Sequence, residues 1–195
     1  SNISVFGNIF KFMKEAAEQF INKGIHINHV DLGGGLGVQY NENDLTLNLA
    51  LLKKEINKYF NQIPYEISFE PGRYLVANAG ILITSIITTK KNGGRNYLIT
   101  DAGMNTLIRP ALYNAFHSIE PIEKKSSKII DYSIAGPICE SSDIFIKSIN
   151  LPEQKTGNKL IIKDVGAYGA VMASNYNTRG LPAEILVNQN SFAII

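Results

Sequence analysis

The stretch IHINHVDLGGGLG, residues 25–37, decides the class of fold. Its first part alternates apolar and polar residues, which predicts a β-strand from Ile25 to Leu32. The strand runs directly into Gly33-Gly34-Gly35-Leu36-Gly37, where glycines let the backbone approach a ligand closely and exposed N–H groups bind phosphate oxygens. A tight turn after a strand needs the same residues, so the glycine run by itself favours neither interpretation.

The segments on either side of this stretch alternate between helix and strand. From Phe6 to Phe20 the apolar residues recur every three or four positions, which predicts a helix with one buried face, ended by Gly24. A second helix is predicted from Leu45 to Tyr59 with Asp44 as its N-cap, and a short strand from Tyr65 to Phe69. Helix, strand, helix and strand at this spacing indicate parallel βα units. The stripe of the first helix comprises Phe6, Phe10, Met13, Ala17 and Phe20.

The second half of the chain has the pattern of hairpins instead. A long β-branched run from Gly80 to Lys90, a turn signal at Asn92-Gly93-Gly94 and a strand from Tyr97 to Asp101 predict a β-hairpin. Further strands are predicted at Lys128–Ala135, Asp143–Ile149, Lys159–Asp164, Ala183–Val187 and Phe192–Ile195. The fold class is therefore α/β followed by all-β, and the change of pattern predicts a domain boundary after Asn78, with domains at 1–78 and 79–195.

Composition excludes several functional classes. The chain has 195 residues, a formal net charge of +2, 45% hydrophobic and 18% charged residues, so we expect neither disorder nor a nucleic-acid partner. No apolar run approaches the ~20 residues of a membrane helix. The single cysteine excludes an internal disulfide framework and a zinc site built from several thiolates, and favours a cytoplasmic location. The three histidines lack metal-ligand spacing and are interpreted as structural, with no metal expected.

A second loop of ligand-binding residue types follows the next predicted strand. Glu70-Pro71-Gly72-Arg73 places a carboxylate and a guanidinium beside a glycine. A buried carboxylate at Glu70 can bind the ring nitrogen of a cofactor, and Arg73 can bind an anionic group. The alternative is an ion pair that stabilises the domain boundary. Two such loops at consecutive strand ends favour a binding site, because these ends share one face of a βα fold.

A third segment, Arg109-Pro110-Ala111-Leu112-Tyr113, is predicted to be non-helical. Pro110 biases Arg109 toward an extended backbone, so a guanidinium and a phenol can project from one rigid loop. Arginine is suited to a bidentate grip on a carboxylate. The alternative is a surface arginine packed on Tyr113.

Two later segments carry a thiol and a phenol. Cys139 lies in the polar turn Gly136–Asp143 beside Glu140, where a thiol can be exposed and donate a proton, although most single cysteines are inert core residues. Tyr168 lies within Gly166-Ala167-Tyr168-Gly169 at a strand end, an arrangement that presents a phenol to a ligand or buries it in the core.

The order of these five segments resembles the diaminopimelate decarboxylase family over essentially the whole chain. The Cys-Glu-Ser-Ser-Asp sequence at 139–143 is its most specific part, because ornithine-type relatives typically carry Cys-Asp there. The resemblance implies the alanine-racemase-like fold (fold type III). The chain would then hold the C-terminal βα units of a TIM barrel that binds pyridoxal 5'-phosphate (PLP), followed by a β-sandwich or β-barrel-like domain.

The resemblance also implies a role for each candidate residue. Cys139 would be the catalytic proton donor to the carbanion that PLP delocalises. The residues implied in binding PLP are Gly34, Gly35, Glu70, Gly72, Arg73 and Tyr168. The residues implied in binding substrate are Arg73, Arg109, Tyr113, Glu140 and Tyr168. Meso-diaminopimelate has an amino acid head at each end, so its selection needs cationic and anionic partners far from the reacting carbon.

The implied activity is PLP-dependent decarboxylation of meso-2,6-diaminopimelate to L-lysine and CO2, in lysine biosynthesis. The resemblance also implies a homodimer, in which Cys139 and Glu140 would reach into the active site of the partner subunit. The Schiff-base lysine of the family lies upstream of these motifs, so we expect the chain to be a fragment lacking it, inactive alone. The alternatives are a decarboxylase of another basic amino acid or carboxynorspermidine, and a non-catalytic truncated paralogue or interaction protein.

Overall fold

The structure, a computed structural model, describes residues 1–123 and 126–195. These residues form two compact units, unit 1 (Ser1–Leu75) and unit 2 (Val76–Ile195). The sequence-based boundary after Asn78 stays a prediction. Among the described residues, no helix combines the length and the apolar character that crossing a membrane requires.

Unit 1 alternates helices with short parallel strands, as the sequence predicts. Its elements are α1 (Ile3–Asn22), β1 (His29–Asp31), α2 (Leu49–Phe60) and β2 (Glu66–Ser68). They are followed by α3 (Gly72–Val76), whose last residue is the first residue of unit 2. Strands β1 and β2 pair in parallel, with Val30 opposite Ile67. Both strands are shorter than predicted, and α3 was not predicted.

Asparagine side chains cap the N-terminal ends of α1 and α2. Asn2 accepts a hydrogen bond from the Ser4 N–H at 3.0 Å, and Asn48 accepts one from the Leu51 N–H at 3.0 Å. The predicted start of α2 at Leu45, with Asp44 as N-cap, is therefore wrong. The Asp44 carboxylate instead closes a turn by accepting the N–H groups of residues 40 and 41 at 2.9 and 2.8 Å.

The core of unit 1 is an aromatic cluster between α1 and α2. Phe10 is fully buried, with ring centroids 5.8 Å from Phe60 and 6.0 Å from Phe69, both edge to face. Phe20 was predicted on the same buried stripe but is exposed in this chain. Ten residues of helix fall about 80° short of whole turns, so Phe20 is rotated away from the face that buries Phe10.

Unit 2 is built on one mixed six-stranded sheet in the order β5-β8-β3-β4-β6-β7. All neighbours are antiparallel except β4 and β6. The edge strands β5 and β7 also approach each other, so the sheet nearly closes. Its elements are β3 (Leu82–Asn92), β4 (Arg95–Thr100), α4 (Arg109–Tyr113), β5 (Ile119–Pro121), β6 (Ile129–Ala135), β7 (Ile144–Pro152) and β8 (Lys159–Ile162). Strands β9 (Ile185–Asn188) and β10 (Ser191–Ile194) form a separate hairpin.

The predicted hairpin at Asn92-Gly93-Gly94 is confirmed. Asn92 pairs with Arg95 across a two-residue loop, and both glycines have positive φ angles, +56° and +79°. Such a loop matches the right-handed twist of the flanking strands, and it requires residues that tolerate positive φ.

The segment Arg109–Tyr113 is helical, so the prediction of a non-helical loop there is wrong. Pro110 lies in the first turn of α4, where its missing N–H would have no partner within the helix. Asn114 ends the helix in a left-handed conformation with φ +52°. The neighbouring strand β5 was not predicted, since three residues are too few to show alternation.

Candidate active site

In unit 1 the glycine loop and the Glu70 loop pack against each other through their backbones. The Gly33 carbonyl accepts a hydrogen bond from the Glu70 N–H at 2.9 Å. Gly33 and Gly35 have φ angles of +74° and +78°, and a Cβ on Gly34 would collide with the Glu70 carbonyl oxygen. The positive φ angles favour glycine at 33 and 35, and the carbonyl contact excludes a side chain at 34. The close packing leaves the two loops side by side at the carboxyl ends of parallel strands.

Asp31 fixes the start of the glycine loop, a role that was not predicted. Its carboxylate accepts the Gly33 N–H at 2.6 Å and the Ser68 hydroxyl at 2.7 Å. The Ser68 hydrogen bond, followed by that from Gly33, holds the pKa of Asp31 below its usual range. The signal was present as an aspartate two residues before a glycine, a pattern typical of a turn stabilised by its own side chain.

Glu70 is exposed, so the prediction of a buried carboxylate is wrong. Glu70 lies two positions beyond the end of β2, and its backbone rather than its side chain is packed there. Arg73 is half-buried on α3, and Gly72 begins that helix. Among the described residues, Glu70 and Arg73 form no ion pair with each other, so the alternative interpretation of this segment finds no support either.

In unit 2 Arg109 is buried, with only 7% of its surface exposed. Its guanidinium carbon lies 5.9 Å from the centre of the Tyr168 ring, and its Nη1 lies 3.3 Å from Nε2 of His117. Tyr113, one helical turn beyond Arg109, is exposed. The alternative of a surface arginine packed on Tyr113 is therefore wrong, because Arg109 is buried and lies next to the Tyr168 ring. Tyr168 is half exposed and has a φ of +60°, an unusual conformation for a bulky residue.

Cys139 and Glu140 lie exposed in the turn between β6 and β7, as predicted for Cys139. The Tyr176 hydroxyl donates to Glu140 Oε1 at 2.6 Å, and Asn177 Nδ2 lies 3.4 Å from Cys139 Sγ. Hydrogen bonding to Glu140 raises the pKa of Tyr176. The sequence analysis missed Tyr176 and Asn177, because their partners lie 36 and 38 residues away and no local pattern joins them.

Asp143 supports this turn from inside. The side chain is buried and accepts the N–H groups of Ile138 at 2.7 Å and Met104 at 2.6 Å. Its carboxylate also fills the space next to Gly103 and Gly136, where a larger residue would collide with it. Burial raises the pKa of Asp143. The position of Cys139 is thus set by a buried carboxylate four residues later in the chain.

The structure therefore assembles three groups of candidate residues. The first group consists of Gly34, Gly35 and Glu70 in unit 1. The second consists of Arg109 and Tyr168 in unit 2, and the third of Cys139 and Glu140, also in unit 2. Within residues 1–123 and 126–195, His, Cys, Asp and Glu side chains do not gather in threes around a possible metal position.

Comparison with known proteins identifies the class. Residues 16–166 match the family described as pyridoxal-dependent decarboxylase, C-terminal sheet domain, and the chain belongs to this family. It is 39% identical to the diaminopimelate decarboxylase of Buchnera aphidicola subsp. Schizaphis graminum, covering 95% of this chain and 50% of that protein. It is 41% identical to the enzyme of that name from Aquifex aeolicus, covering 91% of this chain and 42% of the relative.

A solved structure shows the same fold. The diaminopimelate decarboxylase of Helicobacter pylori complexed with L-lysine matches with a TM-score of 0.91 and 38% identity, over 99% of this chain and 48% of that one. The chain thus spans about half the length of the relatives it matches. These comparisons confirm the predicted family, the fold class and the dependence of the family on PLP.

Proposed function

We propose that the protein containing this chain decarboxylates meso-2,6-diaminopimelate to L-lysine and CO2. The observation that carries the proposal is the exposed turn in which a thiol, Cys139, and a carboxylate, Glu140, lie side by side and are each held by a neighbour. A substrate with an ammonium group far from the reacting carbon needs such a carboxylate, and the reacting carbon needs a proton donor.

The glycine loop fits a phosphate-bearing cofactor. Gly34 has no room for a side chain on the Glu70 side, and the positive φ angles of Gly33 and Gly35 turn the backbone as a phosphate-binding loop requires. We assign PLP binding to Gly34, Gly35, Glu70, Gly72, Arg73 and Tyr168. When bound, PLP supplies an electron sink for the pair of electrons left by the departing CO2.

The remaining roles belong to side chains of this chain. The substrate carboxylates bind two guanidinium groups and two phenols, which belong to Arg73, Arg109, Tyr113 and Tyr168. Glu140 binds the distal ammonium. Cys139 donates the proton that replaces CO2, with Asn177 orienting its sulfur. These assignments account for the selection of a substrate with an amino acid head at each end.

Two further properties are part of the proposal. We propose a homodimer, because Cys139 and Glu140 are exposed and can serve the active site of a second subunit. A cytoplasmic location is supported by the single free cysteine, which suits a reducing compartment.

The test uses the protein expressed from the complete open reading frame around this sequence. We expect PLP absorbance, release of CO2 from meso-diaminopimelate, and a much lower rate with ornithine or arginine. Cys139→Ala should slow turnover with PLP absorbance retained, whereas Ser141→Ala, two residues along the same turn, should not. Turnover of ornithine or arginine without turnover of diaminopimelate overturns the substrate assignment, and full activity of Cys139→Ala removes the thiol from the mechanism.

A further inference from the structure

His117 is a buried histidine that the proposed mechanism does not use. It lies between α4 and β5, with 3% of its surface exposed, and both ring nitrogens have polar neighbours. Nδ1 lies 2.9 Å from the Lys163 carbonyl oxygen, and Nε2 lies 3.3 Å from Nη1 of Arg109. A buried guanidinium is costly unless its N–H groups are hydrogen-bonded, so a partner at this point matters.

The two neighbours define the protonation state of the ring. A carbonyl oxygen only accepts, so Nδ1 of His117 must carry a hydrogen and donate it to Lys163. A guanidinium only donates, so Nε2 must offer its lone pair to Arg109. The ring is therefore neutral and in one tautomer. Burial, together with the charge of Arg109, lowers the pKa of His117 and agrees with this state, although the bond with Lys163 acts in the opposite direction.

The Lys163 end of this chain of hydrogen bonds is part of the sheet. Lys163 follows β8 directly, and its N–H donates to the Ser118 carbonyl at 2.9 Å, which continues the pairing of β5 with β8. The imidazole is thus fixed to the sheet through Nδ1 and reaches the guanidinium through Nε2. A rigid acceptor of this kind sets the orientation of the guanidinium plane next to Tyr168.

We propose that His117 is a positioning residue for substrate binding, which acts by accepting a hydrogen bond from Arg109 at Nε2. The proposal rests on the proposed function, in which Arg109 binds a substrate carboxylate. Its physical basis is that a planar guanidinium grips a carboxylate with two bonds only in one orientation. His117 itself does not touch the substrate.

One test reads the tautomer directly and does not depend on activity. Long-range proton–nitrogen NMR spectra of the histidine-labelled protein, from the complete reading frame, should show His117 with a protonated Nδ1 and an unprotonated Nε2 at neutral pH. The opposite tautomer, or a doubly protonated ring, overturns the proposal even if the enzyme is active.

The second test compares two amide side chains of different length at position 117. His117→Gln can place an acceptor at the Nε2 position, whereas His117→Asn reaches only the Nδ1 position and keeps the bond to Lys163. We expect His117→Gln to retain a KM for diaminopimelate close to that of the unaltered protein. His117→Asn should raise KM by about tenfold or more with a smaller change in kcat. The exposed His29→Gln serves as a control.

Each outcome separates the two proposals. If the unaltered protein is active and the two His117 variants share the same KM, the positioning role is wrong while the function stands. If the unaltered protein has no activity on diaminopimelate, the proposed function is wrong, and the NMR spectrum alone decides the arrangement of His117 and Arg109. Unfolding midpoints of both variants show whether any loss of affinity reflects folding instead.

Discussion

The two units present their candidate residues in opposite ways. In unit 1 the loops meet backbone to backbone, with Gly33 bonded to Glu70 and Gly34 pressed against the same residue. In unit 2 side chains join segments that are distant in the sequence, as His117 does with a carbonyl 46 residues away. A backbone site depends on residues that have no side chain, whereas a side-chain site depends on the register of distant strands. The two units should therefore respond to different kinds of mutation.

The largest expected effect tests whether the two units unfold separately. Phe10 in α1 and Leu98 in β4 are each fully buried in their own unit. Phe10→Ala should cost about 3–5 kcal/mol of unfolding free energy, and Leu98→Ala about 2–5 kcal/mol. Hydrogen exchange should quicken in α1 and α2 for the first variant and in the six-stranded sheet for the second. Equal quickening in both units, for either variant, would contradict the division.

The next prediction tests the backbone packing in unit 1. Gly34→Ala places a Cβ against the Glu70 carbonyl, and neither loop can yield without moving the other, so we expect a loss of roughly 3 kcal/mol and weaker PLP binding. Gly72→Ala is the matched control for stability, because no atom lies within 4 Å of its Cβ position. Urea unfolding measures the stability of both variants. A stable Gly34→Ala protein would show that the loops are not held by this contact.

Asp143 provides the matching test of side-chain dependence in unit 2. Asp143→Asn keeps one acceptor but turns an amide N–H toward either Met104 or Ile138, so it should cost about 2 kcal/mol. Asp131→Asn, whose carboxylate is exposed and accepts a hydrogen bond from the Ser148 hydroxyl, should change stability by less than about 0.5 kcal/mol. Equal losses of stability in the two variants would contradict the role of Asp143 in supporting the turn.

The smallest expected effect is a pH dependence of unit 2. Burial lowers the pKa of His117 from its usual 6.5, so the unfolded chain takes up this proton at a higher pH than the folded chain does. The stability that His117 contributes is therefore fully present above that value and is lost as the pH falls through the folded pKa. Acidification should lower the unfolding midpoint more in the unaltered protein than in His117→Gln. Identical pH profiles would show that His117 is not buried as a neutral ring.

Local signals in the sequence predicted much of the architecture. The stripe of α1, the hairpin at Asn92-Gly93-Gly94 and the strand before the glycine loop each depend on residues a few positions apart. The start of α2 was misplaced because Asp44 and Asn48 are equally good caps by type, and only the fold of the preceding turn decides between them.

The sequence by itself determined the glycine loop, the order of the motifs and the exposed cysteine, because each depends on residue type and short spacing. Only the tertiary structure decided that Arg109 contacts His117 and Tyr168, and that Glu140 accepts a hydrogen bond from Tyr176. Arg109 and His117 are 8 residues apart in the sequence, and Glu140 and Tyr176 are 36 residues apart. The geometry of these contacts follows from which strands pair and in which register, and no local periodicity records that pairing.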